Sequence, residues 1–132
     1  MVPSAGYFTL TLVGGRTINQ MTDLTINTHL VQKILTGFIH TEITRFGITH
    51  AVIGLSGGID SALSCFLAAK ALGPENVLAV RMPYSSSSLD SLVDAQHVID
   101  ITGVNSLTIP ITEMVDPLFD RFPEMDYMRR GN

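Results

Sequence analysis

The run Ser56-Gly57-Gly58-Ile59-Asp60-Ser61 is where the residue types of this chain can do chemistry. Gly57 and Gly58 offer bare backbone that can approach a ligand closely and adopt positive φ angles. Ser56 and Ser61 bring hydroxyl donors, and Asp60 brings a carboxylate. Between a strand end and a helix start, such a run exposes unpaired N–H groups and the positive end of the helix dipole, which suit phosphate. A carboxylate facing phosphate would repel it. The conflict goes away if Asp60 binds Mg2+, which bridges carboxylate and phosphate. The run is not a Walker A loop, which needs a lysine, and it is not the G-x-G-x-x-G fingerprint. A Gly-Gly turn followed by Asp-Ser is also an ordinary capped connection between strand and helix, and both readings stand on these residues alone.

The flanking segments must position that run. His50–Leu55 is a short apolar stretch, the pattern of a strand covered on both faces. Ser61–Leu72 is rich in alanine and leucine, stops at Gly73-Pro74, and is apolar nearly all round, which predicts a helix buried against a sheet. Val77–Met82 is a second buried strand. The serine-rich loop at 85–88 follows, with Ser87 or Ser88 as cap of a helix that Gly103 ends. Ser106–Ile109 is a third strand, and a short helix is predicted from Thr112 to Phe119. Upstream, Val31, Ile34, Leu35, Phe38, Ile39, Ile43 and Phe46 recur at helical spacing, with Asn27 or Thr28 as cap and Gly47 as stop. Strands alternating with helices predict right-handed crossovers and a parallel sheet, an α/β fold. Residues 1–20 are weakly periodic: Tyr7–Val13 reads as a short strand or as an extension outside the fold, and the core architecture is expected to start near Met21.

Composition narrows the function. At 132 residues, 45% hydrophobic and 15% charged, the chain has the size and apolar content of one domain with a real core. A net charge of -4 argues against a nucleic-acid surface but not against a small anion in a local pocket. The single cysteine, Cys65, lies in an apolar helical run and reads as core. With no second cysteine for an intrachain disulfide, a reducing cytoplasm is the expected setting. His29, His40, His50 and His97 are scattered without zinc-ligand spacing and read as surface or core polar groups. No stretch reaches the ~18 continuous apolar residues of a membrane span. The first 20 residues lack the charged start of a signal peptide. Glu113 has no companion carboxylate for paired acid–base work and reads as a solvated first-turn acid. Arg81 at a strand end, like Arg129 and Arg130, is compatible with simple solvation.

S-G-G-x-D-S after a buried strand resembles the pyrophosphate-binding loop of the N-type ATP pyrophosphatases. These include GMP synthetase, asparagine synthetase, the tRNA thiolases, lysidine synthetase and NAD synthetase. VLAVRMPY at Val77–Tyr84, the serine-rich loop and SLDSLVDAQ resemble NAD synthetase within that group. Phe122 and Arg130-Gly131-Asn132 resemble the lead into that family's next helix. The resemblance covers roughly residues 21–132, leaving 1–20 as an extension of unknown role. It implies a Rossmann-like fold of the adenine nucleotide alpha hydrolase kind, truncated to about three core strands. The implied reaction is ATP-dependent amidation of nicotinic acid adenine dinucleotide (deamido-NAD) to NAD+. The nicotinate carboxylate attacks the α-phosphate, pyrophosphate leaves, and ammonia displaces AMP from the acyl-adenylate. By resemblance the nucleotide contacts are Gly54, Ser56, Gly57, Gly58, Ile59, Asp60, Ser61 and Arg81, with Asp60 as Mg2+ ligand and Arg81 on the adenosine. No catalytic nucleophile is implied. The expected partners are ATP, deamido-NAD and ammonia, with a homodimer as assembly and neither nucleic acid nor membrane.

The family pattern continues well past Asn132, with a second magnesium glutamate and substrate loops that have no match here. In the family's sheet, order 3-2-1-4-5, only strands 1 to 3 would be present, so HAVIGL would be an edge strand despite its central-strand composition. The expectation is a chain cut from a larger protein or completed by another, incompetent alone. Two alternatives remain: a nucleotide-binding module without ligase activity, or another N-type ATP pyrophosphatase. The nitrogen donor, ammonia or glutamine, is not readable from these residues.

Overall fold

A computed structural model describes residues 7–11, 17–21 and 25–121. Phe122, Arg129 and the terminal Arg130-Gly131-Asn132 lie outside the described residues. The chain divides into two compact units, residues 1–31 and 32–132. In the first, β1 (Tyr7–Thr11) pairs antiparallel with β2 (Thr17–Met21), with Leu10 opposite Ile18. The Tyr7–Val13 segment thus carries a strand.

Helix α1 (Thr28–Thr44) is capped by Asn27, whose Oδ1 accepts from the Leu30 N–H at 3.0 Å. Gly47 stops it at φ 73, as the sequence predicts. The helix buries little of its apolar side: Ile34 and Phe38 remain exposed. It leans on the end of the next helix through His40 Nδ1, 3.0 Å from the Ala71 carbonyl, and through Lys70 Nζ, which donates to Gln32 Oε1 at 3.2 Å.

The second unit is built on β3 (Ala51–Gly54), β4 (Val77–Arg81) and β5 (Asn105–Thr108), parallel and ordered β3-β4-β5. Helix α2 (Ile59–Leu72) and a 3-10 turn (Pro74–Asn76) connect the first pair. Helix α3 (Leu89–Thr102) connects the second, and α4 (Thr112–Phe119) follows β5. Because the strand order advances in one direction, two right-handed crossovers put α2 and α3 on the same face. The core confirms it. Cys65, Ala68 and Ala69 of α2 and Ala95, Val98 and Ile99 of α3 close over Val77 and Ala79 of β4, with Leu55 and Val104 at its rims. Small side chains dominate, so the helices lie close to the strands and to each other.

The other face of the sheet differs from the sequence expectation. Leu78 and Val80 are half-buried there, while Val52 is 69% and Leu107 47% exposed. HAVIGL was expected to be covered on both faces; the described elements cover one. It is also an edge strand, as the strand order anticipated. For the same reason α2 is buried along one stripe only: Leu63 and Phe66 face outward although the helix reads as apolar all round. Among the described residues no helix is long and apolar enough to cross a membrane.

Ala79 is fully buried under both helices. Ala79→Leu should overpack that contact and lower stability by about 1–3 kcal/mol, read as a reduced midpoint in urea with an unchanged slope.

Candidate functional site

The β3–β4 ladder runs one residue past the strand, where the Leu55 N–H donates to the Val80 carbonyl at 2.8 Å. The chain then turns. Gly57 sits at φ 83, in the left-handed region. A Cβ built on Gly57 would lie 2.2 Å from the Ser91 carbonyl oxygen, on the first turn of α3. Gly58, extended at φ -77 and ψ 157, occupies the N-cap position of α2 without supplying a side-chain cap. Ser61 takes that part from within: its Oγ donates to the Gly58 carbonyl at 2.9 Å and accepts from the Ser56 N–H at 3.2 Å. The two serine oxygens are 3.0 Å apart, and Ser56 Oγ also accepts from the Gly58 N–H at 3.3 Å. Since the Ser61 hydroxyl proton goes to Gly58, Ser56 is the donor between the two hydroxyls.

This web differs from the sequence expectation that both hydroxyls face a ligand. The serines staple the loop to itself. The main chain is what stays open: among the described residues no protein acceptor takes the N–H groups of Gly57, Ile59, Asp60 or Ser61. They are the first-turn amides of α2 and the turn before it, which have no intrahelical partner by construction. The Asp60 carboxylate is exposed and forms no ion pair among the described residues, while its carbonyl accepts from Ser64 Oγ.

Beside this loop lies a cleft of about 550 Å³ at the carboxyl ends of β3 and β4, where open parallel sheets bind their ligands. Its lining mixes hydroxyls, from Ser56, Ser86, Ser87, Ser88 and Ser91, with apolar side chains, among them Leu55, Met82, Leu92 and Ile111. Gly54 lines it too; a Cβ there would meet Met82 Cε at 3.8 Å. The serine run does the turn and cap work that its composition predicts. Ser88 Oγ caps α3 by accepting from the Ser91 N–H at 3.1 Å, and Ser87 Oγ accepts from the Tyr84 N–H at 3.0 Å. Ser86, Ser87 and Ser88 also line the cleft, a place for which sequence reading favoured turn and cap over ligand contact. The available signal was the run's place directly after a strand end in a parallel sheet.

Arg81 is brought near the site but not into the cleft. Its Nη1 donates to Gln96 Oε1 at 2.7 Å, and Gln96 Nε2 donates in turn to Asp100 Oδ1 at 2.8 Å. Arg81 Nε is buried with no partner among the described residues. The guanidinium is therefore held on the α3 side of β4, and solvation alone does not describe it. Cys65 is fully buried, as its apolar run predicts. Burial pushes its thiol up, and a hydrogen bond with Thr102 opposes that, which fits a core residue. Glu113 is an exposed first-turn acid of α4. The described residues contain no group of three or more His, Cys, Asp or Glu side chains that would hold a metal on their own.

A parallel sheet whose first strand runs into a double-glycine turn at a helix N-terminus, with a cleft beyond the strand ends, defines a Rossmann-like α/β protein with the loop of the ATP pyrophosphatases. The NAD synthase family model matches residues 30–132. The chain belongs to that family. It is 54% identical over 112 residues to the NH(3)-dependent NAD(+) synthetase of Trichlorobacter lovleyi, covering 85% of this chain and 41% of the relative. It is 48% identical over 110 residues to that of Pelodictyon phaeoclathratiforme, covering 83% and 40%. The chain thus spans about two-fifths of the length of these relatives. Among solved structures, NH3-dependent NAD synthetase from Campylobacter jejuni superposes with a TM-score of 0.72 at 28% identity, over 81% of this chain and 46% of that one. Glutamine-dependent NAD+ synthetase from Acinetobacter baumannii, in complex with adenosine diphosphate, gives 0.69 at 30% identity, over 79% and 20%.

The two glycines should tolerate a side chain very differently. Gly57→Ala forces a Cβ into the Ser91 backbone at a positive φ, and should cost at least about 2 kcal/mol. Gly58→Ala meets only Ser56 Oγ, at 3.4 Å, and should cost under about 1 kcal/mol. Chemical denaturation of the two variants side by side checks the contrast.

Proposed function

We propose that this chain carries the ATP-binding part of an NAD synthetase, acting in the amidation of deamido-NAD to NAD+. The observation that carries the reading is the set of unpaired amides at Gly57, Ile59, Asp60 and Ser61 beside the cleft, in a chain 54% identical to an NH(3)-dependent NAD(+) synthetase. Those amides and the α2 dipole would receive the departing pyrophosphate, with Ser56, Gly58 and Ser61 holding the loop in shape. The apolar lining suits the nucleoside and the lining hydroxyls its phosphates. Gly54 lines the same cleft. The adenosine contact that the resemblance gives Arg81 would require it to leave Gln96 and turn into the cleft.

Asp60 fits a magnesium ligand. Its carboxylate is exposed and unpaired among the described residues, and Mg2+ is usually held by one or two carboxylates plus substrate phosphates. When bound, the ion would screen the charge that builds on the phosphates as the nicotinate carboxylate attacks. The chain's own residues bind and orient; none is asked to act as nucleophile or base, so catalysis would rest on positioning and electrostatic stabilisation. Homodimeric assembly and a cytoplasmic setting belong to the same reading.

Calorimetry with Mg-ATP on the chain should show association, and Asp60→Asn should weaken the magnesium-dependent part by about tenfold or more. Absence of any heat with the folded chain overturns the reading. Supplied with ATP, ammonia and deamido-NAD, the 132-residue chain should bind nucleotide yet sustain no NAD+ formation; steady turnover would refute that incompetence.

A further inference from the structure

Ser86, Ser87 and Ser88 line the cleft from residues 82–88, a connecting segment between β4 and α3. Tyr84 anchors it. Its side chain is buried, 4% exposed, in a segment whose neighbours are mostly open to solvent. Its main chain is clamped to Ser87 in both directions: the Tyr84 N–H donates to Ser87 Oγ at 3.0 Å and its carbonyl accepts from the Ser87 N–H at 2.9 Å. Its phenol donates to Asp116 Oδ1 of α4 at 2.6 Å, across 32 residues of sequence. The same segment meets the lead into α4 along the backbone. The Ile109 N–H donates to the Arg81 carbonyl at 2.8 Å, and the Ile111 N–H to the Pro83 carbonyl at 3.0 Å. Ile111 lines the cleft, as do Ser86 and Ser87. The Tyr84–Asp116 bond thus joins the two backbone bonds in tying residues 82–88 to the lead into α4.

We propose that Tyr84 and Asp116 are a positioning pair that holds Ser86, Ser87 and Ile111 at the spacing a bound nucleotide requires. Neither side chain need touch the nucleotide. The pair acts through the Tyr84–Ser87 clamp on one side and through the start of α4 on the other. Hydrogen bonds to charged acceptors are about twice as strong as neutral ones, so this contact outweighs each of the neutral backbone bonds around it. The inference rests on the nucleotide reading of the cleft.

The test compares Tyr84→Phe, Asp116→Ala, their combination and Asp116→Asn by Mg-ATP calorimetry, with a thermal melt of each protein. Tyr84→Phe and Asp116→Ala should each weaken Mg-ATP by about tenfold, and the double variant by no more than either alone. Asp116→Asn keeps an oxygen acceptor for the phenol and should stay within about twofold of the parent. Unchanged affinity in Tyr84→Phe and Asp116→Ala overturns the inference. So does a loss in Asp116→Asn as large as in Asp116→Ala, since the acceptor would then be irrelevant. If Tyr84→Phe fails to fold, the two Asp116 variants, which keep the tyrosine ring in place, decide the matter. A parent chain that melts cooperatively but binds no Mg-ATP removes the nucleotide reading, and the pair's role with it. That result is distinguishable from a parent that binds while its variants bind equally well.

Discussion

At Gly57 two stretches of backbone approach so closely that no side chain fits between them. The Ser91 carbonyl would stand 2.2 Å from any Cβ placed there, and the local φ of 83 is one that L side chains rarely adopt. Steric space and dihedral angle thus demand the same residue for separate reasons. The contact matters because Ser91 belongs to the first turn of α3, whose cap Ser88 is itself part of the cleft wall. The loop after β3 and the helix after β4 are locked edge to edge, and the cleft is the space left around the joint.

That joint is possible only because the layer beneath it is thin. Ala68, Ala69, Ala79 and Ala95 are all buried where α2 and α3 meet β4. Larger residues would push the helices off the sheet and carry their N-termini with them. The site is therefore shaped by methyl groups lying behind it along the helix axes, where a reader intent on chemistry would not look. Close packing transmits such displacements, since interiors have few voids to absorb them.

Much of this was legible in the sequence, and the reasons are local. Helix ends are written in single residues: Asn27, Gly47, Ser88 and Gly103 each stand where a cap or stop is needed. Parallel pairing followed from alternation of apolar strand and helix. The turn was legible because two glycines followed by Asp-Ser mark a passage from strand to helix, which is where Gly58 stands; its use was not, since a plain capped connection has the same residues. What local pattern does not carry is which partner a polar group will choose. Ser56 and Ser61 have the same donors whether they face a ligand or each other, and only the fold brings their oxygens to 3.0 Å. Arg81 on Gln96 and Tyr84 on Asp116 are contacts across 15 and 32 residues, invisible to spacing. The coverage of β3 was misread for a related reason: an apolar strand announces its preference for burial, whereas exposure of Val52 depends on what the described elements place over it.

The charge pattern around the cleft bears on the proposed binding of a polyanion there. The chain is acidic, at -4, and among the described residues no lysine or arginine lines the cleft. Lys70 lies in the last turn of α2, a 14-residue helix, and is bonded to Gln32. That places it roughly 15–20 Å from the loop. Arg81 is turned toward Gln96. On our reading of the cleft, compensation for phosphate charge from the described residues at the loop falls to neutral groups, the open amides and the α2 dipole, worth about half an elementary charge at the helix start. A triphosphate carries several times that. An acid in the first turn would favour the same dipole as an empty-site cap, yet it would worsen the deficit once the phosphates arrived. On our reading of the cleft, Asp60 is consistent with an anion site because a divalent cation held there reverses its sign. The carboxylate then recruits the positive charge that this loop, unlike a lysine-bearing one, does not carry in its own sequence.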